Sequence, residues 1–550
     1  MPPLSHPTAE QVRALDLFLT GESLKINAFA GTGKTTTLEY LANNSQARGI
    51  YLAFNRSIAD NAAGRFPANV RCQTTHALAY RSTPSIYKNN KSKMSHDLNP
   101  NAVAVILNLE DLVVSSHFSL GARSRGALIR QTLKHFQHSD SLDVSINHVP
   151  RWGKLAALSK TELEMLIADA TRLARTLWER MLDPSDRAPL GHDGYFKRWS
   201  LNDPEIPGTF ILMDEAQDTN PAMLAALRNQ DAQVVYVGDR YQQIYEWRGA
   251  VNAMERVTTK HECSLTQSFR FGNAIADAAS ILLRSLGERQ RLTGTPNIPS
   301  KLGCGQPNAI LCRTNAAVID YVIQAFAAEI TPHVLGGTTE ALRLLDGVAR
   351  LKVGQPTDVP EFFGFQNWQE VVQFSESEEG QHLRTFVRLV DRHGENRLRT
   401  YLTQVEQAED VASLVISTAH KAKGREWDNV CVVDDFTVVT KDDEGQEIGF
   451  DEEELRLLYV ALTRGRQSVQ IPTELAKKFG IQQEYQPLRL DQLSSHRAPF
   501  SPRSKHRASP QPKKRLTAPH SKSNTSKSFS RAEPVAKESA LRRFLKKLLG

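Results

Sequence analysis

Residues 26–35 read Ile-Asn-Ala-Phe-Ala-Gly-Thr-Gly-Lys-Thr, a short apolar run followed by a glycine-rich loop. A helical pattern continues through Leu38 and Leu41, so the order is strand, loop and helix. Glycines let backbone N–H groups turn toward phosphate oxygens, and the amino end of a helix favours negative charge. Lys34 would reach the terminal phosphates and the Thr35 hydroxyl would hold Mg²⁺. The stretch predicts an α/β fold with a nucleoside triphosphate site, although Ala28 replaces the first glycine of the usual pattern.

A second apolar run, residues 210–213, ends in the acids Asp214 and Glu215. Asp214 can hold Mg²⁺ through water, and Glu215 can orient and deprotonate an attacking water molecule. Two acids after a strand are unremarkable alone, but after a phosphate loop they favour nucleotide hydrolysis. The segment continues as Ala-Gln-Asp through residue 218.

Composition excludes a fibrous or wholly disordered chain, since 40% of the 550 residues are apolar and 23% are charged. The residues from Met1 to Gln11 lack the apolar run of a signal peptide, and the sequence contains no apolar stretch of membrane-spanning length. Five scattered cysteines form no CxxC pair, which favours a reducing compartment without structural zinc. We therefore expect a cytoplasmic, nucleoid-associated protein, or a nuclear one in a eukaryote, with no stable membrane insertion.

The net charge of +7 is unevenly distributed along the chain. Residues 496–550 contain 15 lysines and arginines but only two glutamates, so this segment carries +13 and residues 1–495 carry −6. Its Ser- and Pro-rich composition predicts a basic disordered tail, and the spacing of Leu541, Phe544, Leu545 and Leu548 predicts a terminal amphipathic helix. Nonspecific DNA tethering, docking on a partner or membrane surface, and a solvated extension without a function all remain open for this tail.

Further short motifs follow in a fixed order along the chain. They are Gln11 with residues 8–10, residues 53–56, 74–77, 237–250, 267–270, 309–315, 417–427 and 458–464. With residues 214–218, this set resembles the helicases of superfamily 1, and specifically their UvrD/Rep/PcrA branch. The resemblance spans residues 8 to 466. The sequences of residues 53–56, 74–77 and 432–436 are most similar to those of the F-box DNA helicase type. We find no F-box pattern in the sequence.

The resemblance implies roles around ATP and Mg²⁺. Gln11 would read adenine, Phe269 would stack on it and Glu426 would contact the ribose. Gln242 would sense the γ-phosphate, and Arg270 and Arg464 would act as arginine fingers, for which a permanently charged guanidinium is suited. The catalytic set is thus Lys34, Glu215, Gln242, Arg270 and Arg464. The nucleotide-binding set is Gln11, Ala30, Gly31, Thr32, Gly33, Lys34, Thr35, Thr36, Phe269 and Glu426, and the metal-binding pair is Thr35 and Asp214.

The resemblance also implies contacts with single-stranded DNA. The expected residues are Phe54, Asn55, Thr75, His76, Tyr245, Trp247, Arg248, Thr418 and His420. Aromatic residues beside apolar strands belong to the core more often than to a binding surface, so only motif position favours stacking on bases here. Both histidines are expected to make hydrogen bonds or phosphate contacts rather than ligate metal. Arg240 and Tyr241 replace acids found in many relatives, which predicts altered DNA contacts.

The expected architecture is α/β, with two RecA-like motor domains built on parallel sheets. Residues 1–85 and 205–262 would form the first domain, with a helical insertion at 86–204. Residues 263–335 and 411–485 would form the second domain, with a reduced insertion at 336–410, where large relatives carry a longer subdomain. The short second insertion puts in doubt the autoinhibition associated with that subdomain.

The function implied is an ATP-dependent DNA helicase that moves 3′ to 5′ on single-stranded DNA and unwinds duplexes in repair, recombination or replication. The alternative is an ATP-driven remodeller that strips recombinase filaments without processive unwinding. An RNA helicase and a helicase–nuclease fusion are disfavoured, the latter because the basic tail lacks the carboxylates of a nuclease. Expected partners are single-stranded DNA and its junctions with duplex, a recombinase or a single-strand-binding protein. The helicase would work as a monomer or as a dimer formed on DNA.

Overall fold

In the computed structural model, the described residues are 6–53, 55–94, 98–245, 252–377, 380–441 and 446–490. The strands are β1 (Leu24–Ala28), β2 (Gly49–Ala53), β3 (Val70–Thr74), β4 (Leu112–Ser115), β5 (Phe118–Leu120), β6 (Phe210–Met213), β7 (Gln233–Gly238), β8 (His261–Leu265), β9 (Lys301–Leu302), β10 (Ala309–Cys312), β11 (His333–Val334), β12 (Val415–Thr418), β13 (Trp427–Val432), β14 (Val439–Lys441), β15 (Glu447–Phe450) and β16 (Gly465–Gln470).

The α-helices alternate with these strands in both halves of the chain. They are α1 (Ala9–Phe18), α2 (Lys34–Asn43), α3 (Arg56–Ala63), α4 (Thr75–Ser82), α5 (Ser85–Lys88), α6 (Lys91–Met94), α7 (Pro100–Leu107), α8 (Ala122–His138), α9 (Lys160–Leu182), α10 (Gly191–Ser200), α11 (Pro221–Arg228), α12 (Ala253–Arg256), α13 (Asn273–Ser285), α14 (Asn315–Ala327), α15 (Thr339–Lys352), α16 (Trp368–Phe374), α17 (Arg384–His393), α18 (Glu395–Thr403), α19 (Ala419–Ala422), α20 (Glu452–Leu462) and α21 (Thr473–Phe479).

Two six-stranded sheets form the centres of two α/β domains. The first has the order β3-β2-β6-β7-β1-β8 and the second the order β11-β12-β10-β13-β16-β9. All the strand pairs in both sheets are parallel. Their central strands, such as β6, are apolar and buried along their whole length, because helices cover both faces of the sheet. The prediction of two RecA-like α/β domains is confirmed.

The strand order of the first sheet assembles a site at its carboxyl edge. β1 ends where the glycine-rich loop begins, Asp214 directly follows β6, and Asp239 directly follows β7, which lies between them. In parallel sheets, ligands bind at this edge, where neighbouring strands diverge into their loops. Residues distant in sequence are therefore brought together by the topology.

Each α/β domain carries a largely helical insertion. The first insertion comprises α5–α10 with the antiparallel ribbon β4–β5, and the second comprises α15–α18. A capping box formed by Ser159 and Glu162 begins the longest helix, α9. The second insertion has an apolar core that includes Phe362, Trp368 and Phe386 and is shared with Ile319 of α14.

The first sheet extends past the expected domain boundary at residue 262. Strand β8 pairs with β1 through Leu265, so residues 263–265 belong to the first sheet. The basic tail at 496–550, with its predicted terminal helix, lies outside the described residues. Among the described helices, none is both long enough and apolar enough to cross a membrane.

Candidate active site at the junction of the two sheets

The glycine-rich loop requires glycine for two reasons. Gly31 and Gly33 have φ values of 74° and 78°, in the left-handed region that L side chains rarely adopt. A Cβ on Gly31 would also lie 2.4 Å from Oγ of Ser268, a residue that precedes the second domain. The backbone N–H of Phe269 donates to the Gly31 carbonyl over 2.8 Å. The loop is therefore in contact with residues 268–270 as well as with its own sheet.

The predicted metal-binding pair is brought together by the fold. The Thr35 hydroxyl lies 2.7 Å from Oδ2 of Asp214, and the Tyr51 hydroxyl donates to the same oxygen over 2.7 Å. Burial and the neighbouring Glu215 charge raise the pKa of Asp214. A hydroxyl and a carboxylate are the hard oxygen donors that Mg²⁺ prefers alongside phosphate and water. The pair fits such an ion, whereas no cluster of three or more His, Cys, Asp or Glu suited to a metal occurs among the described residues.

Glu215 is held in an uncommon backbone conformation at the end of β6. Its φ of 50° lies in the left-handed region, where a residue other than glycine is strained. Nε2 of Gln217 donates to its carboxylate over 2.6 Å. Burial alone would raise the pKa of Glu215, but the positive charges of Lys34 and Lys423 outweigh it and lower that pKa. The carboxylate is thus kept ionised beside the phosphate loop, as a base acting on water must be.

The residues expected around adenine converge beside the loop. A Cβ on Gly33 would lie 3.7 Å from the ring of Phe269 and 3.8 Å from Nε2 of Gln11. Gln11 is buried, and Nε2 also donates to the Thr37 hydroxyl over 3.1 Å. Phe269 is 47% exposed, so it is accessible to a ligand. Of the remaining loop residues, Ala30 and Thr32 are buried and Thr36 is half-buried.

The two predicted arginine fingers have different partners. Nη2 of Arg464 donates to Oε1 of Gln242 over 3.2 Å, which joins the turn between α20 and β16 of the second domain to the segment after β7 of the first. Burial and the charge of Arg270 lower the pKa of Arg464. Arg270 instead donates to Glu426 over 2.7 Å and to the Thr463 carbonyl over 3.0 Å. Arg464 thus contacts the first domain directly, while Arg270 is held by residues of the second.

Tyr459 is a further site residue that motif position alone did not reveal. Its hydroxyl accepts a 3.1 Å hydrogen bond from the Ala30 N–H in the phosphate loop and donates to Oδ2 of Asp239 over 3.0 Å. The same Asp239 oxygen accepts from Nε2 of Gln242 over 2.6 Å. The side chain is fully buried. One hydroxyl from the second domain therefore joins the phosphate loop to the segment after β7.

Lys423 is a second residue without an assigned role from sequence. Its ammonium lies 2.5 Å from Oδ2 of Asp218 and also donates to the Gln242 carbonyl. Both side chains are almost completely buried, with exposures of 9% and 3%. Burial raises the pKa of Asp218 to about 6, against the opposing effect of Lys423. The only sequence signal for this ion pair is that Asp218 and Lys423 each lie in one of the motifs, 205 residues apart.

Among the expected DNA contacts, His76 lies where α4 meets the first insertion. Its Nε2 is 3.4 Å from Oδ1 of Asp193 on α10, and its ring stacks on Phe196 at 4.9 Å. His138 lies 3.1 Å from the other oxygen of Asp193. Thr75 is half-buried at the start of α4. Asn55 is exposed and caps α3 by accepting from the Ile58 N–H over 2.9 Å.

The other expected DNA contacts lie on the segment after β7 and at the end of β12. The hydroxyl of Tyr245 donates to the His420 carbonyl over 3.1 Å. The ammonium of Lys423 lies 5.2 Å from the ring centroid of Tyr245. Thr418 caps α19. Phe54, Trp247 and Arg248 lie outside the described residues.

The two residues that replace acids of relatives make contacts within the protein. The Arg240 guanidinium and the Tyr241 hydroxyl both bond Oε2 of Glu288, over 3.3 and 3.1 Å. Glu288 follows α13, so these residues add to the contact between the two halves of the chain. The predicted change in DNA contacts stays a prediction.

Two parallel α/β domains that meet at a glycine-rich phosphate loop define a P-loop protein with paired RecA-like domains. Comparison with known families refines this class. Residues 196–261 match the UvrD/REP helicase N-terminal domain, and residues 365–473 match the UvrD-like helicase C-terminal domain. Both halves of the chain therefore match the UvrD/Rep helicase type.

Three individual relatives support this placement. The chain is 31% identical over 523 residues to F-box DNA helicase protein 1 of Schizosaccharomyces pombe, covering 86% of this chain and 58% of the relative. It is 29% identical over 523 residues to F-box DNA helicase 1 of Gallus gallus, covering 87% and 50%. A shorter match, 40% identical over 86 residues, covers 14% of this chain and 12% of DNA helicase IV of Escherichia coli. The chain thus spans between half and three-fifths of the length of the two F-box relatives.

Proposed function

We propose that this chain is an ATP-dependent DNA helicase that moves 3′ to 5′ along single-stranded DNA and separates duplex strands. The observation that carries the proposal is the 3.2 Å contact between Arg464 and Gln242, which brings a guanidinium of the second domain to the phosphate site of the first. A transferring phosphoryl group is stabilised by positive charge supplied across such a cleft. Direction of travel rests on the family resemblance, and the relatives named as DNA helicases support the choice of DNA.

The chain's own residues divide the chemistry of hydrolysis among them. The loop N–H groups and Lys34 would bind the phosphates, while Gln11 and Phe269 would hold the base. Thr35 and Asp214 would hold Mg²⁺, which neutralises charge on the β- and γ-phosphates when bound. Glu215 would take the proton of the attacking water, and Gln242 and Arg464 would stabilise the charge that develops on the γ-phosphate.

Motion along DNA would follow from the same contacts. The site is complete only while the two α/β domains are close, so binding and loss of the γ-phosphate would close and open the cleft. His76 lies on the first domain, whereas Thr418 and His420 lie on the second. The two domains would therefore bind the strand alternately. Such a protein would be found with its DNA, in the nucleoid or in a nucleus.

The test is DNA-stimulated ATP hydrolysis and strand displacement with Lys34→Ala and Glu215→Gln. Loss of a positioned general base costs about 10²–10⁴-fold in rate, so Glu215→Gln should retain ATP binding and lose turnover. Lys260→Ala and Glu205→Gln change exposed residues and serve as matched controls. Full activity of either site variant would refute the proposal.

Substrates with a 3′ or a 5′ single-stranded tail test the direction of travel. Unwinding of only the 3′-tailed duplex supports the proposal. Removal of recombinase filaments without strand displacement would favour the filament remodeller instead.

A further inference from the structure

The segment between Asp60 and Asp97 contains no acidic residue in a body whose net charge is −6. Of its six cations, two are satisfied internally. Arg65 pairs with Glu39, and the buried ammonium of Lys93 donates to the carbonyls of Arg180, Asp186 and Ala188. The other four are Arg71, Arg81, Lys88 and Lys91, and no described carboxylate forms an ion pair with any of them. Arg81 donates to Oε1 of Gln73, a neutral partner that leaves its charge uncompensated. Cations without a carboxylate partner at this density are the electrostatic footprint of a polyanion site.

Lys88 connects these cations to an exposed aromatic ring. The ammonium of Lys88 donates to the Arg81 carbonyl over 2.7 Å and lies 5.5 Å from the ring centroid of Tyr80, which is 43% exposed. Arg71 lies close enough to Arg81 for its charge to lower the pKa of that guanidinium, after the larger effect of burial. Lys91 follows Lys88 after two exposed asparagines. We call Arg71, Tyr80, Arg81, Lys88 and Lys91 the basic strip.

The basic strip is continuous with a residue already placed at the candidate DNA contact. Tyr80 packs edge-on against Tyr195 at 5.6 Å, and Tyr195 packs edge-on against His76 at 6.2 Å. A strand lying on His76 would therefore meet an aromatic ring and then a row of cations. Cations that follow a backbone, with an aromatic ring for base stacking, are the combination that binds single strands without sequence preference.

We propose that the basic strip is a second contact surface for single-stranded DNA, which binds the phosphates of nucleotides that extend beyond the cleft between the α/β domains. Tyr80 stacks on a base at this surface, and Arg71, Lys88 and Lys91 neutralise phosphates. The inference rests on the proposed function, since it extends the same strand past His76.

The experiment compares oligothymidylates of about 8 and about 25 nucleotides, because one binding module covers roughly 4–16 nucleotides. The full chain and the variant Arg71→Gln/Lys88→Gln/Lys91→Gln are titrated at several salt concentrations. Each lost phosphate contact should make the slope of log Kobs against log salt less steep by about 0.7, so the variant should lose about 2 from the slope on the longer strand. Binding at about 0.1 M salt should weaken on the order of ten- to a hundredfold. The shorter strand should bind as in the wild type.

The control variant Arg256→Gln/Lys260→Gln/Lys301→Gln removes the same charge from exposed residues that precede β8 or begin β9, away from the carboxyl edge. It should leave both slopes unchanged. Tyr80→Ala should weaken binding of the longer strand at least about fivefold, and Tyr80→Phe should restore it, because the ring rather than the hydroxyl stacks.

An unchanged slope on the longer strand would overturn the proposal. So would an equal loss on both strands, which would place these cations inside the cleft, or an effect seen only with duplex DNA. If neither the wild type nor the variants bind single-stranded DNA, the proposed function itself fails. That result differs from wild-type binding with an unchanged slope in the variant, which overturns only the role of the basic strip.

Discussion

Two of the contacts between distant described parts of the chain differ in chemistry, because one contains buried polar and charged groups and the other buries only apolar side chains. Between the α/β domains, Phe29 and Ile244 share an apolar cluster with Phe271 and Leu458 of the second half of the chain. The same contact also contains buried polar groups: the ion pair of Lys423 with Asp218, the Tyr459 hydroxyl and the Arg464–Gln242 hydrogen bond. Between the insertions, Phe363 of the second insertion is fully buried in an apolar cluster of the first, among Phe118, Leu128 and Leu155. Around it, Lys154 pairs with Glu370 and Arg123 pairs with Asp358.

Only the contact between the α/β domains has groups that can respond to a phosphate ligand. Buried charges and hydroxyls are stable only with their partners in place, so the contact between α/β domains exists in a narrow range of geometries. A nucleotide phosphate offers the ammonium, the guanidinium and the hydroxyl of this contact a new partner. The apolar contact of Phe363 is non-directional, and the side chains buried in it have no group that would bind a phosphate. We therefore expect nucleotide to act on the first contact and leave the second closed.

The largest expected effect comes from removing one member of the buried ion pair. Lys423→Met leaves the Asp218 carboxylate uncompensated, which should cost about 3–5 kcal/mol in the free energy of unfolding near pH 7.5. Asp218→Asn combined with Lys423→Met should recover much of that loss, because no charge is then buried. A double-mutant cycle by urea unfolding measures the coupling.

The pH dependence of the Lys423→Met loss follows from the pKa of Asp218, which burial raises to about 6. Below that value the carboxyl takes up a proton and no longer buries a charge. The cost of Lys423→Met should therefore shrink as pH falls from about 7.5 to about 5. Additive losses in the cycle, or a cost that grows toward pH 5, would contradict the role given to this pair.

The apolar contact can be broken with a matched pair of neighbouring residues. Phe363 packs into the first insertion, whereas Phe362 packs into the second insertion's own core against Trp368 and Phe386. Phe363→Ala should cost about 3 kcal/mol at the contact and separate the insertions while both stay folded. Phe362→Ala should unfold the second insertion instead. Energy transfer between dyes on the two insertions, with limited proteolysis of the second, distinguishes these outcomes, and identical behaviour of the two variants would contradict the assignment.

The polar contact can be tested more finely at Tyr459. Tyr459→Phe keeps the ring and removes the hydroxyl, leaving the Ala30 N–H and one Asp239 oxygen without this partner. An unpaired buried group costs about 1–3 kcal/mol, so kcat for ATP hydrolysis should fall by roughly five- to a hundredfold. Tyr321→Phe, at a half-buried tyrosine of α14, is the control. Wild-type kcat in Tyr459→Phe would show that the hydroxyl does not act in turnover.

The sequence predicted the elements whose chemistry lies in consecutive residues. The glycine-rich loop, the acids after β6 and the paired parallel sheets follow from local patterns, and the structure brings Thr35 to Asp214 as expected. Tyr459 and Lys423 could not be assigned in this way, because their partners are 220 and 205 residues away and a hydroxyl or ammonium near an apolar helix fits many environments. The role of Phe363 could not be predicted from sequence either, because its neighbour Phe362 is also a phenylalanine but packs into a different core.

The smallest expected effect concerns the link between the first α/β domain and its insertion. Burial would raise the pKa of Asp193, but hydrogen bonds from His138 and His76 outweigh it and hold that pKa well below the usual value. A carboxyl with a lowered pKa in the folded state stabilises the fold above its unfolded pKa, near 3.8, and that stabilisation disappears as pH falls below it. Asp193→Asn should therefore cost about 1 kcal/mol at pH 7, with the difference from wild type narrowing below about pH 4. Phe363→Ala, which removes no titratable group, should show a loss that is constant over the same range. Parallel urea titrations of both variants across pH measure the contrast, and a pH-independent loss in Asp193→Asn would show that its hydrogen bonds need no charge.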